Sequence, residues 1–224
     1  MENLTSEEFR QRSDLLDYPR VKIIKISDMP NERQLLDIVG KYNFEYSPGI
    51  GNTIYVKGMI NTQKLFDEMH NIPKIGYIWG DLLNHESEDK IRELMPILNF
   101  NRETLSFKLY VGNQNTGSHV HYHSPAANFL LYGLKLWWLF PKTDKNTKVM
   151  TEMGYSKSIP IMKTVRRWVA DHGDYIKSNV EDLVIIKQNP GEVLIIPNKF
   201  YHLIINLEPT IGVVHAWEEF HEFL

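Results

Sequence analysis

Residues 116–141 read TGSHVHYHSPAANFLLYGLKLWWLFP, and the fold is decided by how this stretch is read. His119, His121 and His123 fall at every second position. Alternate side chains of a strand share a face, so a strand here points all three imidazoles the same way. Neutral imidazole is the commonest side-chain metal ligand, and imidazoles paired on a strand form half of a metal site. The other half is expected from a distant strand. Residues 189–217, NPGEVLIIPNKFYHLIINLEPTIGVVHAW, are a run of short apolar strands carrying His202 and His215. A single histidine in a β core more often just satisfies hydrogen bonds. Three in alternation, with His202 to face them, favour a metal.

The surrounding sequence keeps a period of two. Leu105, Phe107, Leu109 and Val111 alternate with Thr104, Ser106, Lys108 and Tyr110. Gly112-Asn113-Gln114-Asn115 is a turn signal, and two strands are expected around Tyr132-Gly133. Short strands resume after residue 183. Many short antiparallel strands with Pro/Gly turns indicate a double-sheet jelly roll with a metal in its mouth. Residues 160–180 break the pattern: Val165, Trp168 and Val169 suggest a helical insertion, with Asp171-His172-Gly173-Asp174 as its end.

Upstream, helices and strands mix. Thr5 with Glu8 three residues on forms a capping box, and Leu4 with Phe9 a hydrophobic staple. Residues 21–26 (VKIIKI) and 53–59 (TIYVKGM) read as strands. Helices are expected over 30–39, after Asn61 or Thr62, and over 87–98, where Ile91, Leu94, Met95 and Leu98 share one face. Residues 1–100 form an α/β portion packed outside a barrel of residues 101–217, giving one domain over 1–224.

Composition narrows the function classes. The chain has no cysteine, which excludes disulfides and thiolate metal sites. Its start, MENLTSEEFRQRSD, lacks the apolar core of a secretory signal, and no run reaches the roughly 18 apolar residues of a membrane span. A cytoplasmic or nuclear protein is the expectation. The net charge of -3 provides no general pull toward nucleic acid. Lys163 with Arg166-Arg167 reads as a solvated helix face.

Two blocks resemble the JmjC/cupin-like Fe(II)- and 2-oxoglutarate-dependent oxygenases. Members typically show Thr-x-x-His-x-Asp, an Asn, Gly-x-Lys, and a Trp/Leu-Phe-Pro ending. The first block here reads Thr116-x-x-His119-x-His121, Asn128, Gly133-x-Lys135, Trp137 and Leu139-Phe140-Pro141. The second reads Pro190-Gly191-Glu192, Ile196-Pro197, Phe200-Tyr201-His202 and Asn206-Leu207-Glu208. The resemblance implies a double-stranded β-helix, with Fe(II) on His119, His121 and His202 and with 2-oxoglutarate and O2 as co-substrates. Lys135, among large apolar residues, would pair with the distal carboxylate of 2-oxoglutarate, because a buried Lys is costly without an anion. Thr116 would donate to the same carboxylate, with Asn128 and Tyr110 nearby. His123 is a surplus histidine, open to three roles: a neighbour of the ligands, a substrate contact, or a ligand in a shifted register with His121. His215 falls where the family often has a polar residue near the metal. Trp137, Trp138, Phe200 and Tyr201 read as core.

One departure stands out: His121 replaces the family's carboxylate. A neutral imidazole leaves the site with one more positive charge and no anionic protein ligand. The resemblance implies hydroxylation of an unactivated C–H bond, of a protein or peptide side chain, by a monomer or small homodimer. Two other readings remain: a binding module that has lost its chemistry, and a three-histidine cupin dioxygenase that does not use 2-oxoglutarate.

Overall fold

The computed structural model describes residues 1–15, 18–47, 58–68, 77–81, 85–98, 106–155 and 164–216. Residues 53–57 of the strand expected at 53–59, Lys163 and the chain end after residue 216 lie outside them. In chain order the strands are β1 (Glu2–Leu4), β2 (Lys22–Ile26), β3 (Asn43–Ser47), β4 (Gly58–Asn61), β5 (Tyr77–Asp81), β6 (Ser106–Gly112), β7 (Gly117–His121), β8 (Ala126–Tyr132), β9 (Lys135–Pro141), β10 (Val184–Gln188), β11 (Glu192–Ile196), β12 (Phe200–Asn206) and β13 (Thr210–Ala216). The helices are α1 (Ser6–Arg10), α2 (Glu32–Val39), α3 (Thr62–Glu68), α4 (His85–Leu94), α5 (Asp144–Glu152) and α6 (Val165–Asn179).

Two sheets face each other. The larger runs β1-β2-β11-β8-β13-β6-β5-β3-β4, and the smaller runs β10-β9-β12-β7. Apart from the parallel β1–β2 pair, the ladders are antiparallel. This is a strand-rich sandwich of jelly-roll character, with helices on both outer faces. Strand alternation sorts the layers. Ala127, Phe129 and Leu131 of β8, with Val193, Ile195, Ile211 and Val213, face outward and join Phe9, Leu35, Leu65 and Ile91 in one core. Trp138 and Phe140 of β9 face the other way, under Val149, Val165 and Trp168 of α5 and α6. Between the sheets lie Trp137, Leu139, Leu194, Ile196 and Ile204.

The N-terminal portion does more than pack outside the barrel. Its strands extend the larger sheet at both edges. The Thr5–Glu8 capping box is present, and Phe9 meets Phe129 edge-on at 5.9 Å. α2 starts later than expected, because Asn31 caps it reciprocally with Gln34.

The helical insertion does not end at Asp171–Asp174. It runs on to Asn179, where the Val180 N–H bonds to the Ile176 carbonyl. Gly173 there serves packing, not termination: a Cβ would lie 3.2 Å from Trp138 Cη2. Gly212 is needed for the same kind of reason. A Cβ on it would collide with both the Phe129 carbonyl oxygen and the Tyr110 hydroxyl. The carbonyl belongs to a paired strand and cannot yield. Gly212→Ala is therefore expected to cost roughly 1–3 kcal/mol, the usual range for overpacking. Urea unfolding would check it, since an unchanged midpoint would mean the strands separate freely.

Candidate metal centre

The inner face of the smaller sheet carries the site. His121 of β7, His123 just beyond it and His202 of β12 offer ring nitrogens that all lie within 4.8 Å of one another, close enough to hold a metal ion. The rings of His121 and His202 are 4.1 Å apart, those of His123 and His202 4.6 Å, and those of His121 and His123 5.5 Å.

His119 does not join them. Strand alternation predicts that it shares a face with His121, but β7 has an extra residue. His202 pairs with His121 and Ile204 pairs with Ser118, so two steps on β12 match three on β7. Such a bulge inverts the alternation. Ser118 and His121 therefore face the interior, with Ser118 Oγ 3.3 Å from His121 Nδ1. His119 turns to the helical side, with its ring edge-on to Trp168 at 6.3 Å. The row of three allowed either His119/His121 or His121/His123 as the pair. The bulge selects the second.

Each histidine of the cluster is held in one tautomer. His121 Nδ1 donates to the His119 carbonyl at 2.7 Å, His202 Nδ1 to the Phe200 carbonyl at 3.1 Å, and His123 Nδ1 to the Ser124 carbonyl. A carbonyl can only accept, so the proton sits on Nδ1 and Nε2 carries the lone pair that a metal would take. Burial pushes all three pKa values down. His123 falls to about 3 through burial and then the charge of His121. His202 falls well below 6.5 through burial and then its two neighbours. The cluster is thus neutral near pH 7, the state that ligation requires.

The three rings open on a cavity with about 260 Å³ of empty space, including its mouth, lined also by Ser118, Asn128, Trp137 and Val214. Asn128, an expected site residue, is thus at the cavity. Its Oδ1 lies 3.0 Å from the Tyr110 hydroxyl, which donates to the Phe129 carbonyl at 2.7 Å. Lys135 is fully buried on the same inward face as Trp137. Its Nζ sits 3.2 Å from the Tyr110 ring centre and 5.5 Å from that of Trp137. It has no hydrogen-bond partner among the described residues, nor has Oδ1 of Asn206, its partner across the ladder. Thr116 is committed elsewhere: its hydroxyl donates to the Asn113 carbonyl at 2.6 Å and accepts from Asn206 Nδ2 at 3.0 Å. His215, which falls where the family often has a polar residue near the metal, alternates with Val214 and lies on the outer face, where burial and then the charge of Arg92 push its pKa to about 3.

Trp137 was read as core only. It is also a wall of the cavity, 6.1 Å from His202. Its Nε1 donates to Gln188 Oε1 at 2.9 Å, and Gln188 Nε2 donates to the carbonyls of Asn128 and Glu192. A polar residue ending the VIIKQ strand was the available signal for Gln188.

No known protein-family model matches the chain. Curated relatives do. The chain is 23% identical over 135 residues to mouse (Mus musculus) JmjC domain-containing protein 8, covering 60% of this chain and 43% of that protein. It is 26% identical over 121 residues to the HSPB1-associated protein 1 homolog of Danio rerio, covering 50% and 25%. It is 23% identical over 116 residues to human (Homo sapiens) HSPB1-associated protein 1, covering 51% and 24%. The chain thus spans a quarter to under half of these relatives' length. At such identity they support a place in the JmjC/cupin superfamily and nothing narrower. No helix among the described residues is long and apolar enough to cross a membrane.

Proposed function

We propose that residues 1–224 form one JmjC/cupin-like domain with a double-stranded β-helix core. We further propose that this domain is an Fe(II)- and 2-oxoglutarate-dependent oxygenase acting on a protein side chain. The strand orders β11-β8-β13-β6 and β10-β9-β12-β7 support the core topology. The observation that carries the activity is the convergence of His121, His123 and His202, each with Nδ1 tied to a carbonyl. In this register His123, not His121, stands at the family's carboxylate position, and Ser118 stands where the family has Thr.

The donor set suits a divalent cation of borderline softness. For the co-substrate, Lys135 supplies the charge: its buried amine has no acceptor among the described residues, and an anion beside it would favour the protonated form. When bound, the iron and its co-substrate would activate O2 for C–H hydroxylation. The chain's own part is to hold the three imidazoles, to seat the distal carboxylate at Lys135, and to keep bulk water out with Trp137 and Ile204. Two of the relatives are named for association with HSPB1, which fits a protein as substrate or partner.

A second reading has one specific observation behind it. Trp137 lines the cavity and Lys135 does not, which favours a three-histidine dioxygenase without 2-oxoglutarate. One experiment separates them. With Fe(II) and ascorbate, the wild type should release succinate from 2-oxoglutarate above a metal-free control, and His202→Ala should not. Under anaerobic conditions the loaded protein should show a metal-to-ligand charge-transfer band. If iron binds but both signals are missing, the second reading stands.

A further inference from the structure

Among the described residues, none that lines the cavity carries a negative charge. Beside the three histidines, its polar lining residues are Ser118 and Asn128, and neither can supply a carboxylate. The strands β6 to β13 contain a single acidic residue, Glu192. Its carboxylate is spent on Asn189, accepting from the backbone N–H at 2.7 Å and from Nδ2 at 3.2 Å. A divalent cation on the histidines would therefore keep its full charge between two apolar walls. Lys135, fully buried and without a hydrogen-bond partner among the described residues, stands on the same inward face and offers an amine that an arriving anion would help to protonate. An uncompensated divalent charge in a low-dielectric space is costly, and where the described residues supply no counter-charge a mobile anion can offset it.

Resting on the metal site proposed above, we propose that cation and anion enter this cavity as a pair. The site takes a divalent cation tightly only together with a small carboxylate or similar anion that supplies the charge the strands lack. Affinity coupling of this kind is reciprocal: the anion tightens the metal as much as the metal tightens the anion. A carboxylate ligand at the His123 position would remove the need. The histidine there converts a site that holds its metal permanently into one that loads with its co-ligand.

Co(II) serves as the probe, followed by its visible spectrum in a perchlorate buffer free of coordinating anions. Its Kd should tighten at least about tenfold when azide or 2-oxoglutarate is added, and should not move with neutral acetamide. In His123→Asp the tightening should shrink below about threefold, because the protein then supplies the anion. Lys135→Met should keep the azide effect and lose most of the 2-oxoglutarate effect, which separates the metal's charge from that of the amine. Equal Co(II) affinity with and without anions in the wild type would overturn the pairing while leaving the metal site intact. Full anion coupling in His123→Asp would overturn it as well. Failure of Co(II) to bind under any condition would remove the metal centre itself.

Discussion

His202→Ala is expected to abolish metal binding, while His119→Ala leaves it almost unchanged. His202 is the proposed ligand brought from β12, and its ring is within 4.6 Å of both others. Without it the two remaining imidazoles lie on one side, and the ion loses the opposing donor. Losing even an outer-shell partner costs 10–100-fold in metal affinity, so losing one of three ligands should cost at least about 100-fold. His119 is the contrasting case. It sits beside Trp168 beyond the bulge, where a truncation removes packing and not a ligand. Equilibrium dialysis with Zn(II) would read both variants, with circular dichroism to verify the fold. If His119→Ala loses the metal and His123→Ala keeps it, β7 has no bulge in solution and the cluster described here is wrong.

This contrast marks the boundary of what the sequence made legible. Periodicity and turn signals located β2 and β6 to β13, since burying one face of a strand demands alternation, but they did not reveal β1, β3 or β5. Spacing also brought His202 opposite the histidine row. The bulge in β7 was not legible, because one inserted residue depends on pairing with β12, some 80 positions away, and leaves no local mark. It shifts the clustered pair from the expected His119/His121 to His121/His123. The same limit applies to α5, which was not anticipated. Thr143 caps it locally, but Asn146 anchors it by bonds to the Pro141 carbonyl and, across 35 residues, to Glu181. Gly173 misled in the opposite direction. Its composition signalled a helix end, whereas its role is to let α6 approach Trp138. Lys135 was the reverse case, where a charged residue in an apolar strand stood out from the sequence alone, and it is indeed buried.

Lys135→Met should stabilise the metal-free protein and at the same time remove its hold on a dicarboxylate. The amine is fully buried, its nearest neighbours are the Tyr110 and Trp137 rings, and burial pushes its pKa well below 10.5. The sign follows from linkage. The unfolded chain takes up the proton below pH 10.5, whereas the folded chain resists it until the lower folded value is reached. The wild type therefore loses stability as pH falls from 10.5, by about 1.4 kcal/mol per pH unit, until the folded amine also protonates. Methionine has a similar length, no charge and no titration, so it escapes this loss. The difference between variant and wild type should be near zero at pH 10.5 and grow toward neutral pH. There a gain of about 1–4 kcal/mol is the order found when buried charges give way to apolar residues. Urea unfolding at pH 7, 8.5 and 10 would follow it, with every other titrating group cancelling in the comparison. Saturating 2-oxoglutarate and metal should reverse the ranking, since the ligand raises the wild-type midpoint by pairing with the ammonium and leaves the variant's nearly unmoved. A variant less stable than wild type at pH 7 without ligand would mean that the ring faces of Tyr110 and Trp137 stabilise the cation more than burial penalises it. The amine would then be a structural element and not a waiting anion site.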